Sequence, residues 1–283
     1  MKLHTQHGQE VIADARAHLL DYELCMASWF SGCQIRTIDT PDGILTWDKI
    51  KSKVRKQSTV FSSTGLIEIE NTHNMAGGTI YPLETIKEIC AHAHSSAHNL
   101  PVHMDGARIF NASVSSGVPV AEIVRDVDTV MFCLSKGLGA PVGSMLVGAA
   151  DTLLQARALR KRLGGGMRQA GILAAAGLVA LDEMVERLHE DHDNAKYMAR
   201  ELGLVDGLQV DPSMVQSNIV FVGVENVGCP VADIVSGLRE RGVLINNVGP
   251  NHLRIVTHYD APKSACEKAV VAVRDVIAEL RRK

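Results

Sequence analysis

Short apolar runs, each followed by a longer stretch with helical spacing, alternate across the first two thirds of this 283-residue chain. That alternation leaves little choice of architecture. Successive strands joined through helices pair in parallel, so the pattern implies βαβ units with a mostly parallel sheet. Strands are expected at 10–13, 66–70, 102–105, 129–134 and 144–147. Between the second and third, Ile86, Ile89, Cys90, Ala93 and Ala97 recur at helical spacing, which predicts an amphipathic helix over 83–98. From 168 to 202 the chain is rich in Ala, Leu, Glu and Met without proline, and reads as one long helix or two abutting ones. After Gly203 shorter signals resume, with strands at 209–210, 219–222, 243–245 and 253–256 and helices at 231–241 and 263–282. The expected fold is therefore α/β, with a large domain over 1–202 and a small C-terminal α+β domain over 203–283.

Composition removes several function classes. A net charge of −3 and only 4% aromatic residues give neither a field nor stacking platforms for nucleic acid. The longest apolar run, 170–181, is broken by Gly171 and Gly177 and is too short for a bilayer. The opening residues are polar and contain no apolar core of a secretory signal, so the expected location is the cytoplasm. The six cysteines are scattered, form no C-x-x-C pair and read as reduced thiols. His92, His94, His98 and His103 are close in sequence, but their spacing supplies no zinc ligand set, and no metal is expected.

Two segments carry chemistry. In Leu134-Ser135-Lys136-Gly137-Leu138-Gly139 a lysine ends an apolar strand and precedes glycines that let other groups approach. An amine so placed can be desolvated and made nucleophilic, which makes Lys136 a Schiff-base candidate. Read alone, the segment equally describes a lysine opening a surface loop. Asp105-Gly106-Ala107-Arg108 also ends an apolar strand. Strand ends on one side of an open parallel sheet line a common crevice, so Asp105 and Lys136 are expected to face one site. A lysine for an imine and a carboxylate for a pyridinium nitrogen together suit pyridoxal phosphate. A structural Asp–Arg ion pair is the competing reading of the second segment.

At these residues the sequence resembles the low-specificity threonine aldolases, members of the β-eliminating lyase/threonine aldolase group of fold-type-I pyridoxal phosphate enzymes. The resemblance rests on D-G-A-R-I-F-N-A at 105–112 and S-K-G-L-G-A-P-V-G-S at 135–144. E-N-T-H-N at 70–74, G-G-G-M-R-Q at 164–169 and R-I-V-T-H at 254–258 reinforce it, in order along nearly the whole chain. It implies that Lys136 binds the cofactor as a Schiff base and that Asp105 partners the pyridine nitrogen. Arg108 is expected near the cofactor phenolate and the substrate carboxylate, and Arg254 as the second carboxylate-binding arginine. His18 matches the imidazole stacked on the cofactor ring, and His73 the residue near the substrate β-hydroxyl. Arg168, following a triple glycine and expected in the first turn of a helix, is similar to the arginine that meets the cofactor phosphate of a neighbouring subunit, with Lys161 a further candidate. The implied assembly is a homodimer or homotetramer.

Family members also carry, ahead of the point that matches Met1, a strand–helix segment with a Ser-Gly-Thr phosphate loop. The expectation is a large domain shortened at its N-terminus. Ser62-Ser63-Thr64-Gly65 has suitable residue types but precedes a strand, and so lacks the helix dipole that would favour phosphate. The implied reaction is cleavage of threonine or allo-threonine to glycine and acetaldehyde, the β-hydroxyl proton leaving to His73, to His18 or to water. A β-eliminating lyase of the same fold and a catalytically impaired member of the family are the alternatives.

Overall fold

The computed structural model describes residues 1–282, which divide into two compact units on either side of Val185 and Glu186. The first unit is built on a six-stranded sheet. Its strands are β1 (Glu10–Asp14), β2 (Gln34–Ile38), β3 (Thr64–Glu70), β4 (Val102–Asp105), β5 (Thr129–Cys133) and β6 (Ser144–Gly148), in the order β2-β1-β3-β4-β5-β6. All neighbouring pairs are parallel except β5 with β6, which is antiparallel. The chain leaves β1 for β2 on one side and returns to β3 on the other. Such a reversal opens a crevice beyond the carboxyl ends of the strands.

Alternate residues point to opposite faces of the sheet. Ile12, Ile67, Ile69, Val102, Met104 and Val130 share one core with Ile86, Ile89, Cys90 and Ala93 of the helix Leu83–Ala93. Filling such a site with one Ile or Val is worth roughly 1.5–3 kcal/mol relative to leaving it in water. β3 is buried at every position, including Glu68 and Glu70, as expected for a strand covered on both sides. Gly106, just past β4, has a reason to be glycine. A Cβ there would lie 2.8 Å from the Met131 carbonyl oxygen, so the close approach of the chain to β5 excludes a side chain.

Several sequence expectations are corrected by the packing. The helix at 83–98 stops at Ala93, because the Ser95 hydroxyl donates to the His92 carbonyl and Asn99 turns at φ 48°. β2 gives a weak signal because it is an edge strand with mixed exposure, its Arg36 reaching across to Glu10. The stretch 168–202 forms two helices, Gly171–Glu183 and Leu188–Leu202, and the second of these belongs to the second compact unit instead of to the large domain.

The second unit has an antiparallel sheet of β7 (Ile219–Gly223), β8 (Asn246–Val248) and β9 (His252–Val256) in the order β7-β9-β8. The strand expected at 243–245 pairs three residues later, since the turn around Gly249 sets the register of Asn247 opposite Leu253. Val220, Val222, Leu253 and Ile255 meet Ala195 and Met198 of Leu188–Leu202, Ile234 and Leu238 of Val231–Glu240, and Val273 and Ile277 of Lys263–Leu280. Among the described residues no helix is long and apolar enough to cross a membrane.

Candidate active site

Four neighbouring parallel strands end on polar residues at the crevice. Asp14 closes β1, Glu70 closes β3, Asp105 closes β4, and the loop after β5 carries Lys136. Glu70 and Asp105 sit opposite one another in register, and Asp105 opposes Met131. Asp105 accepts a hydrogen bond from the Ala107 N–H at 3.0 Å. Burial, reinforced by the Glu70 carboxylate, holds Asp105 above the usual carboxylate range, while the Ala107 N–H, the Lys136 ammonium and the His18 imidazole pull it down. Asp105, Lys136 and His18 are thereby brought within one electrostatic neighbourhood. Lys136 is half-buried, and so is Arg108, which opens the helix Ile109–Ser116 directly after β4.

His18 opens a short helix, His18–Asp21, and lies stacked on Tyr22 with ring centroids 4.6 Å apart. Its Nδ1 is 2.8 Å from Glu23 Oε1. His73, which the resemblance puts near the substrate β-hydroxyl, is buried. Its side chain is 0% exposed, and its Nε2 lies 3.2 Å from Asp14 Oδ1. Gly43 closes over the ring, at φ +79° and with room for no Cβ, since one would stand 2.5 Å from His73 Cγ. The Gly43–Leu45 segment is tied down in turn by Tyr81, whose hydroxyl donates to the Gly43 carbonyl and accepts the Leu45 N–H.

Asp14 carries more than His73. It accepts the Thr40 hydroxyl at 2.6 Å and the Arg16 N–H at 2.9 Å. Burial pushes its carboxyl up, but His73, Thr40 and the Arg16 N–H together outweigh that and bring it down to about 2. Asp14 and Glu70 carry functions of position that the sequence did not flag. The available signal was an acidic residue at the end of a strand whose every position is buried, a place where an unpaired charge would not be tolerated.

Arg168 requires a correction. The helix following the triple glycine begins at Gly171 with Ala170 as N-cap, and Gln169 turns at φ 49°, so Arg168 lies outside the first turn, in an exposed position. Lys161 lies in the last turn of the preceding helix, Ala150–Arg162, with its stem packed across Gly166. Arg254 belongs to the second unit, half-buried at the centre of β9 between Phe221 and Asn246. Of the four histidines at 92, 94, 98 and 103, His92 stacks on Trp47, His98 meets the same ring edge to face, His94 pairs with Asp128 and His103 with the Thr129 hydroxyl.

The family model for β-eliminating lyases matches residues 1–225. The chain belongs to the β-eliminating lyase family. Within this family it is 39% identical over 261 residues to low-specificity L-threonine aldolase 1 of Arabidopsis thaliana, covering 91% of this chain and 72% of that one. It is 41% identical over 279 residues to the low specificity L-threonine aldolase of Escherichia coli K12, covering 97% and 79%. The lyase fold is shared with a threonine aldolase structure from Leishmania major, at a TM-score of 0.82 and 23% identity over 98% of this chain and 80% of that one.

Proposed function

We propose that the chain is a pyridoxal-phosphate-dependent aldolase that cleaves threonine or allo-threonine to glycine and acetaldehyde. Its relatives in Arabidopsis and Escherichia coli are named low-specificity L-threonine aldolases. The observation that carries the reading to this chain is the coupling of Asp105 with Lys136 beyond the ends of adjacent strands. The carboxylate fits the cofactor. Burial and Glu70 both disfavour its charge, and a cationic ring nitrogen is the partner that would offset both.

Lys136 would hold the cofactor through its amine, Asp105 through the ring nitrogen and His18 across the ring face. Arg168, with Lys161, would meet the phosphate bound by a neighbouring chain. When bound, pyridoxal phosphate supplies an electron sink for the pair left on Cα as the Cα–Cβ bond breaks. Arg108 and Arg254 each offer a planar guanidinium fork to the substrate carboxylate. The β-hydroxyl proton leaves to His18 or to a water. His18 keeps Nε2 for that exchange, since Nδ1 faces Glu23. His73 has no exposed surface, so it acts on that proton only through an intervening group. The active form is a homo-oligomer, a reading supported by Arg168 in solvent and by the apolar, exposed helix Gly171–Glu183. Six free cysteines support a reducing compartment such as the cytoplasm.

The test is borohydride reduction of the cofactor-loaded protein followed by peptide mapping, with Lys136→Ala in parallel. Wild type is expected to retain the cofactor on the peptide containing Lys136, and the variant to lose the label and cleave at least ~1,000-fold more slowly. A label on another lysine overturns the assignment. The family's name raises β-elimination as the second reading, and products decide it: glycine with acetaldehyde against ammonia with a keto acid.

A further inference from the structure

Glu70 is 4% exposed, and neither of its carboxylate oxygens is spare. Oε2 accepts the backbone N–H of His18 at 2.9 Å, and Oε1 accepts the backbone N–H of Asn74 at 2.8 Å. These two amides belong to different loops. His18 begins the helix that follows β1, and Asn74 begins the single 3-10 turn Asn74–Ala76 directly after His73. The first N–H groups of a helical turn have no partner within the turn, and a buried one left without an acceptor costs stability. One side chain thus satisfies an orphan donor in each loop. A carboxylate is the only side chain of this reach with two acceptor oxygens and no donor. Glutamine would turn an NH2 group toward one of the two amides.

The same carboxylate opposes Asp105 across the β3–β4 ladder and, after burial, does most to disfavour the charge on Asp105. Glu70 therefore bonds to two loops, the one carrying the imidazole assigned to the cofactor ring and the turn that follows His73, and acts through its charge on the acid assigned to the cofactor nitrogen.

We propose that Glu70 is a positioning residue, clamping the His18 loop and the His73–Asn74 turn around Asp105. The proposal rests on the reading of this crevice as the pyridoxal phosphate site. It is tested on Glu70→Gln and Glu70→Asp by amide hydrogen exchange of the cofactor-free proteins, together with steady-state kinetics and cofactor absorbance of the loaded ones. In Glu70→Gln, exchange is expected to rise roughly tenfold at whichever of His18 and Asn74 faces the NH2 group, the consequence of losing a bond to a charged acceptor. Peptides of the second unit should be unchanged. kcat should fall roughly tenfold at little-altered KM, as expected when a positioned group is misplaced. Glu70→Asp, which keeps two acceptors on a shorter stem, should lie between wild type and Glu70→Gln in both readouts, and it carries the test if Glu70→Gln fails to fold. Unchanged exchange at both amides overturns the clamp. Faster exchange with unchanged kcat overturns its positioning role. A wild-type protein that takes up no cofactor overturns the underlying reading, and is recognised by colourless protein with the exchange difference intact.

Discussion

His73 Nε2 lies 3.2 Å from Asp14 Oδ1, with the histidine side chain 0% and the aspartate 3% exposed. A carboxylate so deeply placed is tolerated because three groups face it: the imidazole, the Thr40 hydroxyl and the Arg16 N–H. Their combined effect, against burial, brings its pKa from 3.8 to about 2.

A depressed carboxylate stabilises the folded state at every pH above its unfolded pKa, and that contribution disappears as pH falls through the folded value. Asp14→Asn is accordingly expected to cost on the order of 2 kcal/mol at pH 7, with the gap from wild type closing between about pH 4 and pH 2. Denaturant titrations at pH 7, 4 and 2.5 check this. A gap independent of pH would mean that Asp14 contributes shape alone.

Gly43 closes the other side of His73. Its φ of +79° disfavours any L side chain, and an added Cβ would stand 2.5 Å from His73 Cγ and 2.9 Å from Ala76 Cβ. Neither neighbour is the free end of a long side chain. Gly43→Ala is expected to lose about 2 kcal/mol or more, from backbone strain and overpacking combined. Urea unfolding at neutral pH measures it, and a change below about 0.5 kcal/mol would show that this loop relaxes freely.

These two relationships mark where the sequence stopped being informative. β4 with Asp105 and β5 leading to Lys136 were legible because an apolar run ending in a reactive side chain is a local pattern. The edge strand β2 was not, because its mixed exposure follows from Arg36 meeting Glu10 across the sheet. The partnership of Asp14 with His73, and that of Glu70 with His18, join residues that the βαβ connections bring together from separate parts of the chain. No spacing encodes them. Arg168 was placed in a helix because the glycines before it and the Ala-rich run after it read as one boundary, whereas the positive φ of Gln169 is visible only in three dimensions.

The helix Gly171–Glu183 buries only Gly177 and Ala180, while Ile172 is 85% and Leu178 61% exposed. An apolar helix turned outward is a strong candidate for contact between chains. Wild type is expected to sediment as a dimer or tetramer, and the double change Ile172→Glu with Leu178→Glu to shift it toward monomer at micromolar concentration. Loss of lyase activity should accompany dissociation if Arg168 acts across the contact. A monomeric wild type sinks the oligomer, and a dissociated but fully active variant sinks the role of Arg168.

Asp105 sets function against stability. Burial and the Glu70 carboxylate raise its pKa, so above that pKa the folded, cofactor-free chain holds a charge that the unfolded chain holds more easily. The sign is opposite to that of Asp14: ionised Asp105 costs stability at neutral pH, and the cost is relieved as pH falls through the raised value. Asp105→Asn keeps an oxygen for the Ala107 N–H but removes the charge. Without cofactor it is expected to melt at a higher temperature than wild type at pH 7, with the difference vanishing in acid. With cofactor the order should reverse in function, because a neutral amide cannot hold the ring nitrogen protonated, and kcat should fall by roughly 100-fold or more. Calorimetry of both cofactor-free proteins at pH 7 and pH 4 decides the first half and steady-state cleavage the second. A lower melting temperature for the variant would show that Asp105 is paired well enough to stabilise the fold unaided, and the cofactor would then not be needed to balance its charge.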